Sequence, residues 1–281
     1  MEDFQVRGSP LEYWFVKVQS GDLRFLVDWI VRRRSGQAEV RVSLFVRGVG
    51  RVLHATSGSW REAGSRVEVS GCTLSPTKAA GSVDDVRWDL TCDPGLSRLD
   101  PVPPPAKLLH PFDLELASRP RAVFTGTVEV AGETFDLAEA RGTINHYWGR
   151  RLPDAWVWIS ADLGDGDGVV EAALIRTRLW GVPRTRQIGG YVMVEGGGRT
   201  TQILAPTYGR LSVAGADASF EIRARARGRE LRLTAGAPSS AYNDLGEDIR
   251  QTLIGDVTVE GWGSCSGSAG LEHRGDFLTS R

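Results

Sequence analysis

Short segments rich in β-branched and aromatic residues recur from one end of this chain to the other, separated by clusters of Gly, Asp, Pro and Ser. That spacing predicts strands throughout. In the first half they fall near residues 13–18, 23–32, 39–46, 52–56, 66–69, 73–76, 82–91 and 122–130. In the second half they fall near 140–148, 155–163, 168–180, 187–195, 200–205, 219–227, 230–236 and 256–263. Few windows place apolar residues at i, i+3, i+4 and i+7 without an interrupting Gly or Pro, so helix should be scarce, with one short helix near 245–252. About sixteen strands exceed one small barrel, whereas about eight per half suit two antiparallel barrels or a split sandwich, each of which covers its sheet edges. The expected fold class is all-β.

At 281 residues the chain is long enough for two compact domains. The stretch 100–107, DPVPPPAK, is too proline-rich to pair within a sheet and reads as a stiff connector. The strand at 122–130 and the hairpin at Ala131-Gly132-Glu133 read as the closing pieces of a first unit. The junction is placed near 137–140, which gives domains 1–138 and 139–281.

Charge and motifs remove several function classes. The formal net charge is -1, and 34 basic residues are scattered among 35 acidic ones, so no footprint for nucleic acid is present. The run Arg32-Arg33-Arg34 reads as a solvated strand end. Cys72, Cys92 and Cys265 form neither a disulfide framework nor a CxxC pair, which suits a reducing cytoplasm. The leading MEDFQVRGSP lacks the basic and apolar regions of a signal peptide, and no stretch approaches the ~20 apolar residues of a membrane span. Export and stable membrane insertion are therefore not expected. His54, His110, His146 and His273 are isolated, and no HxxxH, HExxH, GxSxG or P-loop string occurs, so neither a metal site nor a cofactor is expected.

From Gly142 the chain reads GTINHYWGRRLPDAWVWISADL: a strand ending in Trp148-Gly149, a basic turn with a proline, and a strand carrying Trp156 and Trp158. This string resembles the tocopherol cyclase and carotenoid 1,2-hydratase superfamily, with weaker likeness around Trp88 and over 255–275. The resemblance implies two tandem lipocalin-like β-barrels, with a cavity in or between them, and lipid or polyene substrates. Members include cyclases, hydratases, decalin-forming Diels-Alderases and non-catalytic lipid carriers. One departure matters. Tocopherol cyclases tend to carry Glu-Lys-Asn ahead of Trp-Gly, whereas this chain has Asn145-His146-Tyr147, without a carboxylate to protonate an alkene.

Among nine tryptophans, Trp88, Trp148, Trp156, Trp158, Trp180 and Trp262 are candidate substrate contacts, against the alternative of plain core packing. The two-residue period puts Trp156 and Trp158 on one strand face with Ser160 and Asp162, opposite Val157, Ile159, Ala161 and Leu163. Turned into a barrel lumen, their rings could stack on a polyene or shield a cation. Asn145 and His146 point to opposite faces, so only one can enter a lumen. Either could hydrogen-bond a substrate carbonyl or move a proton, or could simply tie down a strand end. Glu171, in the apolar run 168–174, is a candidate acid if desolvation keeps it neutral. Tyr191 follows Gly189-Gly190, which would let a backbone or ligand approach closely. Glu272 and His273 could line a cavity mouth or lie on an exposed strand. The leading functional expectation is a cofactor-independent cyclase of the Diels-Alderase type acting on an apolar polyene, polyketide or terpenoid. Its alternatives are a proton-initiated hydratase or cyclase and a lipid or pigment carrier.

Overall fold

The computed structural model describes residues 4–100, 114–164, 168–176, 188–205, 208–216 and 218–275. These form two compact units, with the chain passing from the first to the second between Leu152 and Pro153. The first unit contains, among the described residues, eleven strands in one antiparallel sheet. They are β1 (Leu11–Ser20), β2 (Leu23–Arg32), β3 (Gln37–Val46), β4 (Val49–Ser57), β5 (Trp60–Ala63), β6 (Arg66–Val69), β7 (Cys72–Ser75), β8 (Lys78–Val83), β9 (Val86–Asp93), β10 (Leu114–Val130) and β11 (Glu133–Gly149). The last strand returns to pair with the first, from Leu11↔Gly149 to Val18↔Gly142. The order is therefore β4-β3-β2-β1-β11-β10-β9-β8-β7-β6-β5, a nearly closed barrel in which β3 packs against β6 and β4 against β8.

The second unit repeats that plan with β12 (Ala155–Leu163), β13 (Gly168–Arg176), β14 (Ile188–Gly196), β15 (Arg199–Ala205), β16 (Arg210–Ala216), β17 (Ser219–Ala226), β18 (Arg229–Gly236), β19 (Asn243–Asp244), β20 (Ile249–Val259) and β21 (Gly263–Arg274). Its order is β15-β14-β13-β12-β21-β20-β18-β17-β16, with β19 added beside β20, and β16 approaches β14 and β15 to complete a second nearly closed barrel. Again the first strand meets the last, from Trp156↔Arg274 to Ser160↔Gly270.

Alternation along each strand decides what enters the core. In β9, Val86, Trp88, Leu90 and Cys92 point inward, while Arg87, Asp89, Thr91 and Asp93 are exposed. Trp88 packs against Phe25 at 5.8 Å and edge-on against Trp29 at 6.2 Å. The Trp29 indole N–H donates to the Cys72 carbonyl at 3.1 Å. The second core is finer grained, with Val157, Ile159, Ala161 and Leu163 of β12 facing Val170, Ala172 and Leu174 of β13. Gly190 shows why a glycine precedes Tyr191: at φ +128°, an added Cβ would sit 1.9 Å from the Ala173 carbonyl oxygen.

Three expectations change. The junction lies at 152/153 and not at 138/139, because β11 runs unbroken through residue 138 and pairs with β10 and β1 of its own unit. No helix forms at 245–252: Gly246, Glu247 and Asp248 take positive φ in a tight turn, and β20 starts at Ile249. The Gly- and Ser-rich stretch 263–274, expected only in part, is a full strand, held by β12 on one side and β20 on the other. Residues 101–107 of the connector, and Trp180, lie outside the described residues.

The Trp88 ring is 1% exposed and packed among Phe25, Trp29 and Cys72 in the core of the first unit. Trp88→Ala should lower the unfolding free energy by about 3 to 5 kcal/mol in urea titrations. A loss under about 1 kcal/mol would show that the ring does not fill this core.

Candidate functional site

Because the odd residues of β12 fill the second barrel, Trp156, Trp158 and Ser160 point to the outward face of its sheet. The tryptophan pair therefore does not line a barrel lumen; the shared face with Ser160 was legible, its side was not. Strand register extends that face sideways. Trp158 is opposite Ala173 on β13 and Glu272 on β21, and these in turn are opposite Tyr191 on β14 and Gln251 on β20. One row along, Ser160 is opposite Glu171, which is opposite Met193.

This face is buried, although it combines aromatic and polar groups: Glu171 and Tyr191 are both 0% exposed. The Tyr191 hydroxyl donates to Glu171 Oε1 at 3.1 Å. Two of the expected catalytic residues are thus brought together on adjacent strands. The Glu272 carboxylate accepts the Trp156 indole N–H at 2.8 Å on one oxygen and the Gln251 side-chain amide at 2.7 Å on the other. The Arg274 guanidinium lies 5.4 Å from the Trp156 ring centroid. Such a surface offers aromatic area, a phenol–carboxylate pair able to move or orient a proton, and a carboxylate locked by two donors.

Asn145 and His146 separate as alternation requires, with His146 the one that enters a barrel. The His146 imidazole is buried inside the first unit, 4.8 Å from the Trp14 ring and 4.8 Å from Trp148, with Nε2 2.8 Å from Glu12 Oε1. Glu12 also accepts the backbone N–H of Arg7 at 2.7 Å and of Gly8 at 3.1 Å, and pairs with Arg33 at 3.0 Å. Burial pushes the Glu12 pKa up, but the hydrogen bonds from His146 and Arg7 and the charges of His146 and Arg33 outweigh it and hold the carboxyl below its ordinary range. The cluster fastens residues 4–9 across the barrel, with Arg7 stacked on Trp148 at 5.1 Å. Asn145 lies on the outward face of β11, accepting from the Thr143 hydroxyl at 3.2 Å, beside Tyr147, which stacks on Tyr13 at 4.6 Å. Trp262 packs at the rim of the second core under Arg199, at 4.6 Å. Of the five expected substrate tryptophans among the described residues, Trp156 and Trp158 share the candidate face; Trp88, Trp148 and Trp262 are elsewhere.

No family model matches the chain. Two curated relatives, uncharacterized proteins of Mycobacterium tuberculosis strains H37Rv and CDC 1551, are 31% identical over 103 residues, which is 36% of this chain. The match spans only 31% of the relatives' own length. Whole-fold similarity is broader. An AttH-type protein from Nitrosomonas europaea superposes with a TM-score of 0.67 at 15% identity, covering 99% of this chain and 96% of its own. Kievitone hydratase from Nectria haematococca gives 0.67 at 12% identity, covering 97% and 91%. CghA, solved with and without a bound compound, gives 0.66 for the bound form at 11% identity, covering 94% and 88%. The chain shares the all-β fold of these proteins, with two nearly closed antiparallel barrels.

The Asn145-His146-Tyr147 string falls in β11 of the first unit, and the groups gathered around Trp158 belong to the second. Sequence reasoning misses Gln251, since apolar spacing over 245–252 suggests a helix; a two-residue period from Ile249 would set Gln251 opposite Thr252. Glu272 and His273 also divide, Glu272 going to the outward face and His273 into the second barrel. The His273 ring there is 5.5 Å from Phe220 and 5.4 Å from Tyr242. Among the described residues no group of three potential ligands could hold a metal ion, and no helix is long and apolar enough to cross a membrane.

Burial first, and the charge of Arg250 second, hold the His273 pKa below its ordinary value. The unfolded chain therefore binds a proton more readily than the folded one between about pH 6.5 and the lower folded value. Stability should fall as pH drops from 7 through that window, and His273→Phe should flatten the dependence in chemical unfolding at pH 7, 6 and 5.5. An unchanged slope in the variant would assign it to other groups.

Proposed function

We propose that this chain is a cofactor-independent cyclase that holds an apolar polyene, polyketide or terpenoid against the outward face of its second barrel and closes a ring. The observation that carries this reading is the buried Tyr191–Glu171 pair set beside Trp158, Ser160 and Met193. Aromatic and thioether surface suits an unsaturated chain, and the phenol–carboxylate pair suits a polar carbonyl on it. Holding two reacting ends together can remove on the order of 7 kcal/mol or more from a barrier. A hydrogen bond aimed at a substrate carbonyl would polarise it further. Two proteins that share the fold, CghA as a Diels-Alderase and kievitone hydratase, are catalytic, which supports an enzyme over a carrier.

A hydratase is the second reading, and the same pair favours it, since a phenol on a carboxylate can pass a proton to an alkene. A concerted ring closure needs no proton donor, so the Asn145-His146-Tyr147 string, without the carboxylate that tocopherol cyclases tend to carry there, weighs towards cyclisation.

Turnover of a candidate polyene in deuterium oxide separates the readings. The cyclase should release a ring product with no non-exchangeable deuterium, and Tyr191→Phe should lower kcat about 10- to 100-fold. A hydratase would fix one deuterium in its product and lose roughly 10²- to 10⁴-fold with the same substitution. Recovery of the polyene unchanged by active, folded protein would favour a carrier.

A further inference from the structure

The outward face continues past Glu272 to two side-chain amides. Asn243 on β19 is directly opposite Gln251 on β20, and Gln251 is directly opposite Glu272 on β21. Residues so paired point to the same face with Cβ atoms about 5 Å apart. Gln251 is 1% exposed. Its amide nitrogen must face Glu272, because a carboxylate already holding the Trp156 N–H has only acceptors to offer. The orientation of Gln251 is therefore fixed. Its Oε1 is shut off from solvent and accepts nothing among the described residues, and the Asn243 Nδ2 is likewise shielded and donates to nothing. Buried polar atoms of native proteins almost always have a partner. Here an orphaned acceptor and an orphaned donor stand on neighbouring strands, at the end of a row that leads through Glu272 to Trp158.

Building on the proposed substrate face, we infer that Gln251 and Asn243 read the polar end of the substrate, and that this end is a neutral group carrying both a donor and an acceptor, a hydroxyl or a carboxamide. The donor of such a group satisfies Gln251 Oε1, and its acceptor takes the Asn243 amide proton. A carboxylate is rejected, since it would meet Gln251 Oε1 and the fixed negative charge of Glu272. An ammonium group would leave the Asn243 donor unmet. The apolar chain then runs from this headgroup along Trp156 and Trp158 towards Tyr191.

Quenching of tryptophan fluorescence, titrated with oleyl alcohol, oleamide, oleate and the hydrocarbon octadecene, tests this. The alcohol and amide should bind on the order of tenfold more tightly than oleate or octadecene. Gln251→Leu and Asn243→Ala should each erase that advantage while octadecene binding stays unchanged. Asn243→Ala carries the test if Gln251→Leu melts below the assay temperature. If octadecene binds but no headgroup preference exists, or the preference survives in both variants, the headgroup site is wrong and the tryptophan face stands. If no probe quenches, both fall. An ordered water alone bridging the two amides in a probe-soaked crystal would also overturn the inference.

Discussion

Backbone pairing between the last strand and the first of each unit, β11 with β1 and β21 with β12, is the constraint on which the rest depends. It nearly closes each sheet, and with a period of two it sorts every residue of the seam into interior or exterior. A slip of one residue of β12 against β21 would turn Trp156 and Trp158 into the second barrel and Val157 and Ile159 out of it, parting the tryptophans from Glu272. That slip is opposed by the inner core, where Ile159 and Leu271 are both fully buried. Apolar packing on one side thus sets the geometry of the polar groups on the other.

The first unit shows the same rule applied to charge. Glu12, Trp14 and His146 occupy interior positions that pure apolar packing could have filled. A buried ion pair is weak evidence for added stability, because desolvation offsets much of the attraction. Its effect here is directional: two backbone N–H groups, an imidazole and a guanidinium converge on one carboxylate and fix where residues 4–9 cross the barrel. Removing Glu12 would strand those donors, which is the costly half of such an arrangement.

Much of the fold was legible from spacing, because strand alternation and Gly-Asp-Pro punctuation are local signals. The shared face of Trp156, Trp158 and Ser160 followed from the period, and the glycines before Tyr191 announced a close backbone approach. What local signals lacked was the side. β12 is apolar on both faces, so only its neighbours, Ala172 and Leu174 against Ala173 and Glu171, reveal which face is core. Length misled at the junction, since β11, at 17 residues, is about three times an ordinary strand and bridges the point where a boundary was placed. Turn chemistry misled at 245–252, where the apolar spacing of Leu245, Ile249 and Leu253 imitates a helix while Gly246-Glu247-Asp248 makes a left-handed turn.

The repeated topology also explains why the two outward seams differ in what they can hold. In the first unit the outward face of β1, β2, β3 and β11 carries Asp28 and Arg41, joined at 2.7 Å, with Asn145 and Thr143 bonded to each other. Charge there is answered by charge within the sheet. The equivalent seam of the second unit sets Trp156 and Trp158 beside Glu272, and the donors that satisfy Glu272 are an indole and an amide. Satisfying a carboxylate with neutral donors leaves, among the described residues, no cation paired to that carboxylate's two oxygens. An apolar chain meets less desolvation cost on such a surface than on one laced with guanidinium and ammonium groups. One sheet plan, present in both units, thereby yields one face of internal charge pairing and one of aromatic rings around a carboxylate held by neutral donors.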